Sequence, residues 1–492
     1  MKWQQVHWRG PAAVLLLVML WFMPCFAQSQ SDPLRFGQVA VTGSVRTRLE
    51  GWQWFRGQGN TDYTFSGSLL RVSFGHESYS YDWQLELEAP VLLGLPRNAV
   101  GTGATGQFGL GAAYTVANRS NQNTAMLFPA QGFLRFKRLF GRQSDSIRLG
   151  RFQFADGGEV IPKDATIAAV KASRVHQRLL GNFTFTHVQR GFYGVHYQRD
   201  TPKLNWTVMA SFPTRGVFQT DGWGVMKTAL AYTSLTRQLP GPRKSAEWRL
   251  FGIYYDDWRG VLKSDNRAVA ARQADLAPIR IGTMGGHLLH SARTSFGTTD
   301  LLFWTAFQFG KWGSLNQRAA SVDVEAGLQP AILKLVRPWI RVGYTYGSGD
   351  GNPGDATHGT FFQILPTPRQ FALFPFYNMM NNRDIFGILI LRPRKALTVK
   401  HEIHWLGLAS SSDLWYSGGG AFQPWTFGFS GRPANGGKGL ANVYDINADY
   451  ALNARTSVTA YWGYAVGHAA IAGIYPANKN GSLGFLELTL KF

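Results

Sequence analysis

Residues 486–492 read LELTLKF, so that leucines and a final Phe492 alternate with Glu, Thr and Lys. Successive side chains of a β-strand point to opposite faces, which gives this segment one apolar and one polar face. Alternation that closes on a C-terminal aromatic residue is typical of bacterial outer-membrane β-barrels. The segment therefore predicts a strand that crosses a lipid bilayer.

The same period of two recurs along the chain, in segments at 41–50, 81–88, 322–325, 340–344, 397–403 and 444–450. Such segments run to about ten residues, enough for a tilted strand to cross a bilayer. A soluble β-sandwich also alternates, but the length of the segments and their Trp, Tyr or Phe ends favour a membrane barrel.

The gaps between these segments alternate in length. Counted back from the C-terminus they are long, short, long, short, long and short, at 468–482, 451–455, 407–440, 392–396, 347–383 and 331–336. This parity predicts an antiparallel barrel with long extracellular loops and short periplasmic turns. At about 25 residues per strand and loop, the length predicts 16–18 strands around an aqueous lumen.

Composition excludes other classes of protein. Aromatic residues make up 14%, charged residues only 16%, and there are 56 glycines, which argues against disorder and against a coiled coil. No segment approaches 18 consecutive apolar residues, which excludes a helical membrane protein. The single Cys25 excludes a disulfide framework, and we expect no cofactor and no metal.

The first 27 residues resemble a secretory leader. Lys2 and Arg9 precede an apolar run at 12–22, which ends in Cys25-Phe26-Ala27. We expect residues 1–27 to be a signal peptide and residues 28–492 to form one monomeric barrel in the bacterial outer membrane.

Basic residues on the polar faces are the candidate functional residues. In a narrow aqueous pore, guanidinium and ammonium groups attract anions, and guanidinium pairs bidentately with carboxylates. By alternation the residues that face the lumen are Arg46, Arg48, Arg71, Arg148, Arg341 and Lys400. Alternatively, they pair with lumenal acids such as Glu50, Glu86, Glu88, Asp323, Glu325 and Glu402. The net charge of +21 exceeds what these acids balance, and part of the surplus can face lipopolysaccharide.

Three strings resemble the alginate export family of outer-membrane barrels. They are VGYTYGSGDGNPGDATHGTFFQILPTPR (342–369), SSDLWYSGGGAF (411–422) and IRLGRFQF (147–154). The resemblance implies an 18-stranded barrel whose arginine-lined lumen exports an anionic uronic-acid polysaccharide and whose long loops occlude its mouths. It assigns Arg148 and Arg151 to the pore. Arg151 follows the lipid-facing Leu149 by two residues, so it reaches the lumen only if the strand ends or bulges near Gly150.

The alternatives are a general or small-anion porin and, less favoured, a barrel enzyme. The leader and the terminal strand argue against a fourth alternative, a soluble basic β-protein that binds nucleic acid. The partners we expect are the polysaccharide, outer-membrane lipid with lipopolysaccharide, and a periplasmic scaffold or synthase complex.

Two motifs resemble metal sites. In HEIH (401–404) the two histidines are an odd number of positions apart and face opposite sides of a strand, which argues against a zinc pair. The loop 347–355 contains Asp350 and Asp355 but does not fit an EF-hand. A plain extracellular turn is favoured there, and calcium binding stays open.

Overall fold

The computed structural model describes residues 33–492, and the expected leader at 1–27 lies outside this range. Eighteen long strands within it form one closed antiparallel barrel. The first nine are β1 (Val39–Gln53), β2 (Asp62–Glu77), β3 (Tyr81–Leu93), β4 (Phe128–Lys137), β5 (Asp145–Phe152), β6 (Phe192–Asp200), β7 (Leu204–Pro213), β8 (Thr228–Leu239) and β9 (Lys244–Asp257). The second nine are β10 (Ile279–Thr294), β11 (Gly297–Trp312), β12 (Leu315–Pro330), β13 (Trp339–Gly347), β14 (Asn382–Arg394), β15 (Leu397–Gly407), β16 (Gly439–Ala451), β17 (Thr456–Gly467) and β18 (Asn480–Lys491).

The barrel closes by pairing its first and last strands. β1 lies antiparallel to β18 from Ser44 opposite Lys491 to Gln53 opposite Ser482. Closure pairs the backbone donors and acceptors that an open sheet would expose to lipid, each at a cost of several kcal/mol. Residues 486–491 of the terminal LELTLKF segment lie in β18, as their alternation predicted, and β18 forms one side of the seam.

Smaller elements lie in the loops. The short strands are Leu34–Phe36, Thr124–Ala125 and Thr357–His358, together with a hairpin of Leu414–Gly418 and Phe429–Pro433. The helices are Leu110–Ala117, Ala165–Val170, Val269–Ala274 and Ala469–Ala472, with a π-helical turn at Lys171–Val175 and 3₁₀ turns at Gly103–Thr105, Leu139–Gly141 and Pro368–Gln370. Among the described residues no helix has the length and apolarity needed to cross a membrane.

The alternation in the sequence sets which side chains face outward. On β12, Asp323 and Glu325 are buried in the lumen, whereas Val324 between them is 48% exposed on the outer surface. On β9, Leu250 is 61% exposed and its neighbour Arg249 is buried. An apolar exterior and a polar lumen are the pattern of an outer-membrane barrel.

Loop lengths confirm the predicted parity on both sides of the barrel. One side carries short turns, such as 295–296 and 395–396, and is therefore the periplasmic side. The other side carries loops such as 153–191, 348–381 and 408–438. It also holds one tight turn at 313–314, where Gly313 adopts a φ of +61°.

The lumen is filled by extracellular loops. Phe361 and Phe362 of loop 348–381 pack in one apolar cluster with wall residues such as Trp304 and with Leu180 of loop 153–191. The hydrophobic core therefore lies inside the barrel, between the wall and its own loops.

Candidate transport pathway

One extracellular loop, residues 153–191, crosses most of the lumen, and we call it the plug loop. The side-chain amide of Gln238 donates to the carbonyl of Ile161 (3.4 Å), and that of Gln329 donates to the hydroxyl of Thr166 (3.2 Å). Gln238 and Gln329 each precede the periplasmic end of their strand by one residue. Ile161 is 84% exposed, so the tip of the plug loop emerges at the periplasmic mouth.

Local sequence explains the turn of the plug loop. The carboxylate of Asp164 accepts from the backbone N–H groups of Thr166 and Ile167, both at 3.0 Å. This N-cap starts the helix Ala165–Val170. The helix leads directly into the π-helical turn Lys171–Val175, which carries two basic residues of the loop, Lys171 and Arg174.

Buried ion pairs hold the plug loop to the wall. Three of them join a base on the loop to an acid on a strand, and the fourth joins an acid on the loop to an arginine on a strand. They are Arg174–Glu325 (2.6 Å), Arg178–Asp323 (2.6 Å), Lys171–Glu247 (2.7 Å) and Arg249–Glu159 (2.9 Å). Asp323 and Glu325, which we expected to pair with basic residues of the wall, thus also bind the plug loop.

Most of the sequence-predicted basic residues are themselves ion-paired. Each has at least one carboxylate within 3.2 Å, as listed next. Arg48 pairs with Glu487 (2.5 Å) and Glu50 (3.0 Å), Arg71 with Glu86 (2.6 Å) and Glu88 (3.1 Å), Arg341 with Glu325 (2.7 Å) and Asp300, and Lys400 with Glu402 (3.2 Å). The geometry of these four residues thus matches the alternative interpretation, in which basic residues pair with lumenal acids and stiffen the wall.

The positive charges of Arg46 and Arg148 are less well compensated by carboxylates. Arg46 donates to the plug-loop carbonyls of Thr184 (2.6 Å) and Thr186 (2.5 Å), and its nearest carboxylate, that of Glu487, is 3.7 Å away. The guanidinium of Arg148 lies 4.2 Å from the ring centroid of Phe152. Within residues 33–492, Arg148 has no carboxylate within 4.0 Å.

Arg151 does not line the lumen, in contrast to the pore position that the family resemblance implied. The register of β5 with both neighbours continues without a shift from Arg148 to Phe152, so Arg151 points outward with Leu149. Its guanidinium donates to the carbonyl oxygens of Ala130 and Gly222, both at 2.8 Å. The positive φ of Gly150, +122°, does not interrupt the alternation.

The acidic loop forms turns. The carboxylate of Asp350 accepts from the backbone N–H of Asn352 (3.0 Å), and that of Asp355 accepts from the N–H of Thr357 (2.7 Å). Both are bonds from a side chain to the backbone two residues on, the Asx pattern that stabilises turns. This favours the plain-turn interpretation of the loop.

A cavity of about 350 Å³ lies among the extracellular loops, and we call it the outer cavity. Eight aromatic residues line it, among them Trp54, Phe218 and Trp425. Two arginines also line it, Arg369 from loop 348–381 and Arg432 from loop 408–438. Sequence reasoning missed both, because strand alternation says nothing about the direction of loop side chains.

Arg369 occupies the inner end of this cavity. Its guanidinium lies 4.1 Å from the ring centroid of Tyr461 and 4.5 Å from that of Phe185. Throughout the described chain it has no carboxylate within 4.0 Å, and burial lowers its pKa. A guanidinium remains charged at neutral pH, so this site holds a desolvated positive charge that an anion would compensate.

Arg432 is held by neutral groups. It donates to the carbonyl of Gln107 (3.0 Å) and to the hydroxyl of Ser417 (3.1 Å), and it stacks 4.9 Å from the ring centroid of Trp415. In the part of the chain that the structure describes, it too lacks a carboxylate within 4.0 Å. The outer cavity therefore combines two uncompensated arginines with apolar ring faces.

Solved structures with the same architecture are outer-membrane proteins. The outer membrane protein OpdK from Pseudomonas aeruginosa is 8% identical, with a TM-score of 0.52 over 92% of this chain and 98% of its own. OccAB2 from Acinetobacter baumannii is 8% identical, with a TM-score of 0.56 over 93% and 99%. OpdK with vanillate is 10% identical, with a TM-score of 0.53 over 92% and 98%. At these identities the likeness shows the fold alone.

The closed barrel, its polar lumen and a match to a family of export channels define an outer-membrane channel of the bacterial envelope. The family model described as alginate export matches residues 130–470. The chain belongs to this family, as the three strings in its sequence predicted. No curated protein sequence matches it.

Proposed function

We propose that this channel exports an anionic, uronic-acid polysaccharide. Membership of the alginate export family supports the class of substrate. The single observation that carries the proposal is Arg369, which lies buried at the inner end of the outer cavity without a carboxylate partner in the described chain.

The chemistry of the outer cavity suits such a polymer. Each uronic-acid unit carries one carboxylate, which a guanidinium binds through two parallel hydrogen bonds. The ring faces of Trp54 and Phe218 offer apolar surface to the C–H faces of a sugar. A chain of alternating charge and apolar ring can slide past such groups, because no single contact is strong enough to trap it.

The conformation described here is closed. The plug loop fills the lumen beneath the outer cavity, and its buried ion pairs tie it to β9 and β12. Export of a polymer requires the plug loop to move. Outer-membrane barrels have no ATP supply, so we propose that contact with a periplasmic synthase or scaffold, or the entering polymer itself, displaces it.

A channel for small carboxylates is the second candidate. A cavity of about 350 Å³ falls at the lower end of the range for small-molecule sites, roughly 300–1,000 Å³. The plug loop also narrows the lumen, which favours the passage of small molecules. The two candidates differ in how binding depends on the length of the anion.

Current through single channels in planar bilayers, recorded during the openings in which the plug loop is displaced, tests the proposal. We expect uronate oligomers to block the current more strongly as they lengthen from one unit to six, and Arg369→Gln to weaken block by hexamers at least tenfold. Arg280→Gln is the matched control, because Arg280 is 58% exposed and pairs only loosely with Asp256 (3.5 Å). Block that does not depend on oligomer length would favour the small-carboxylate channel. Unchanged block in Arg369→Gln would overturn the proposal.

A further inference from the structure

Three buried side chains converge on the inner wall of the barrel. Glu402 and His404 lie on β15, and Asp445 lies on the neighbouring β16. Each is at most 2% exposed. One oxygen or nitrogen from each lies within 4.8 Å of the other two.

The two acids face each other directly. Glu402 is the cross-strand partner of Asp445 in the register of β15 and β16. Like charges in this position repel and destabilise a sheet, and burial strengthens the repulsion. One oxygen of each is compensated, since Lys400 lies 3.2 Å from Glu402 Oε1 and the hydroxyl of Tyr461 donates to Asp445 Oδ1.

A fourth side chain orients the histidine. The Nδ1–H of His404 donates to Asp384 Oδ2 over 2.8 Å, because a carboxylate can only accept. When Nε2 carries no proton, as a metal ligand requires, its lone pair faces the two acids. A carboxylate that orients a histidine in this way is the usual support behind a metal-binding imidazole.

The atoms that face the centre of the cluster lack partners. Across residues 33–492, Glu402 Oε2, His404 Nε2 and Asp445 Oδ2 receive no hydrogen bond. His404 Nε2 lies 3.9 Å from Glu402 Oε2. Buried polar atoms without partners destabilise a fold, and charged ones do so more strongly.

We propose that Glu402, His404 and Asp445 bind one divalent transition-metal ion, and that this ion is Zn²⁺. An imidazole nitrogen with two carboxylate oxygens is a donor set for zinc, whereas Ca²⁺ and Mg²⁺ select oxygen alone. Small rotations of the side chains close the set to ligand distances of about 2.0–2.2 Å. Three protein ligands leave a coordination position open to water or to an anion in the lumen.

This site is separate from the proposed transport function and from the rejected pairing of His401 with His404. The alternation that places the two histidines on opposite faces also places Glu402 beside His404. From the sequence we expected no metal, and the proposed site departs from that expectation.

Metal binding by the purified full barrel in detergent tests the proposal. After treatment with a chelator and dialysis, we expect one Zn²⁺ per barrel by calorimetry, and visible absorption bands when Co²⁺ is the probe. His404→Gln and Asp445→Asn should each weaken Zn²⁺ binding at least tenfold. Asp384→Asn keeps all three ligands and should weaken it by about 10–100-fold.

His287→Gln is the matched control, because His287 is also buried in the lumen and lies 3.0 Å from one carboxylate, that of Glu247. It should leave Zn²⁺ binding unchanged. The change in electrophoretic mobility on heating, which folded outer-membrane barrels show on gels, checks that each variant forms the barrel. The proposal is overturned if wild-type protein binds no Zn²⁺, if only Ca²⁺ binds, or if His287→Gln weakens binding as much as His404→Gln does.

Discussion

At the scale of the residue, the arginines inside the barrel form two groups that differ in the side chains they contact. Arg48, Arg71 and Arg341 each contact two carboxylates, and these pairs stiffen the wall. Arg148 and Arg369 contact aromatic rings and have no carboxylate within 4.0 Å in the described chain. On the proposed function, the second group binds the passing anion.

Arg341→Gln should therefore destabilise the barrel. Loss of this arginine leaves Asp300 with no cation within 4.0 Å in the described chain and removes one partner of Glu325. Breaking a buried pair costs about 3–5 kcal/mol, and a shift of the urea midpoint for unfolding from detergent measures it. Arg280→Gln should change that midpoint little, since exposed pairs contribute about 0–1 kcal/mol.

Arg148→Glu should act on anions instead. We expect it to weaken block of the current by uronate oligomers and to leave the urea midpoint nearly unchanged, since Arg148 compensates no acid. Equal block in wild type and variant would remove Arg148 from the pathway.

At the scale of the element, the plug loop and the outer loops control access. The double variant Arg174→Leu with Arg178→Leu removes two of the four ion pairs described above between the plug loop and the wall. We expect it to raise the fraction of time that single channels spend open. Lys163→Met, on the exposed tip of the same loop, is the control, and an equal rise in both would contradict the anchoring role.

Asp413 connects two outer loops and gives them a dependence on pH. Its carboxylate accepts from the hydroxyls of Thr360 (2.6 Å) and Tyr416 (2.7 Å), and burial raises its pKa to about 6. An acid whose pKa is raised by folding stabilises the folded loops at low pH, and this contribution is lost as pH rises from about 4 to about 6.

We therefore expect the outer loops to open more readily at pH 7.5 than at pH 4.5, measured as channel opening in bilayers. In Asp413→Asn the dependence on pH in this range should largely disappear. A wild-type channel that opens more at the lower pH would reverse the sign and contradict this assignment.

Sequence predicts the wall well and the loops poorly. Alternation alone places Val324 outside and Asp323 inside, because a strand admits two directions only. It cannot predict the depth of the plug loop, which depends on contacts such as Arg178 with Asp323, 145 positions apart. Nor can it predict the cluster at Glu402 and Asp445, which requires the register between β15 and β16.

At the scale of the whole molecule, the exterior must remain apolar along the membrane. Phe303 lies at the middle of β11 and is 45% exposed to the outside. Phe303→Arg should destabilise the barrel in lipid by about 2–4 kcal/mol, measured by reversible unfolding from vesicles. Phe303→Leu is the control, and normal stability of the arginine variant would mean that the inside and outside faces are reversed.

The central claim is that a plugged, cationic barrel passes uronate chains. The most direct test loads vesicles containing the barrel with fluorescent uronate hexamers and with neutral hexamers of equal length, and measures the efflux of each. The barrel with its plug loop loosened by Arg174→Leu and Arg178→Leu should release uronate at least tenfold faster than the neutral sugar. Equal efflux of the two, or efflux of neither, would contradict the account.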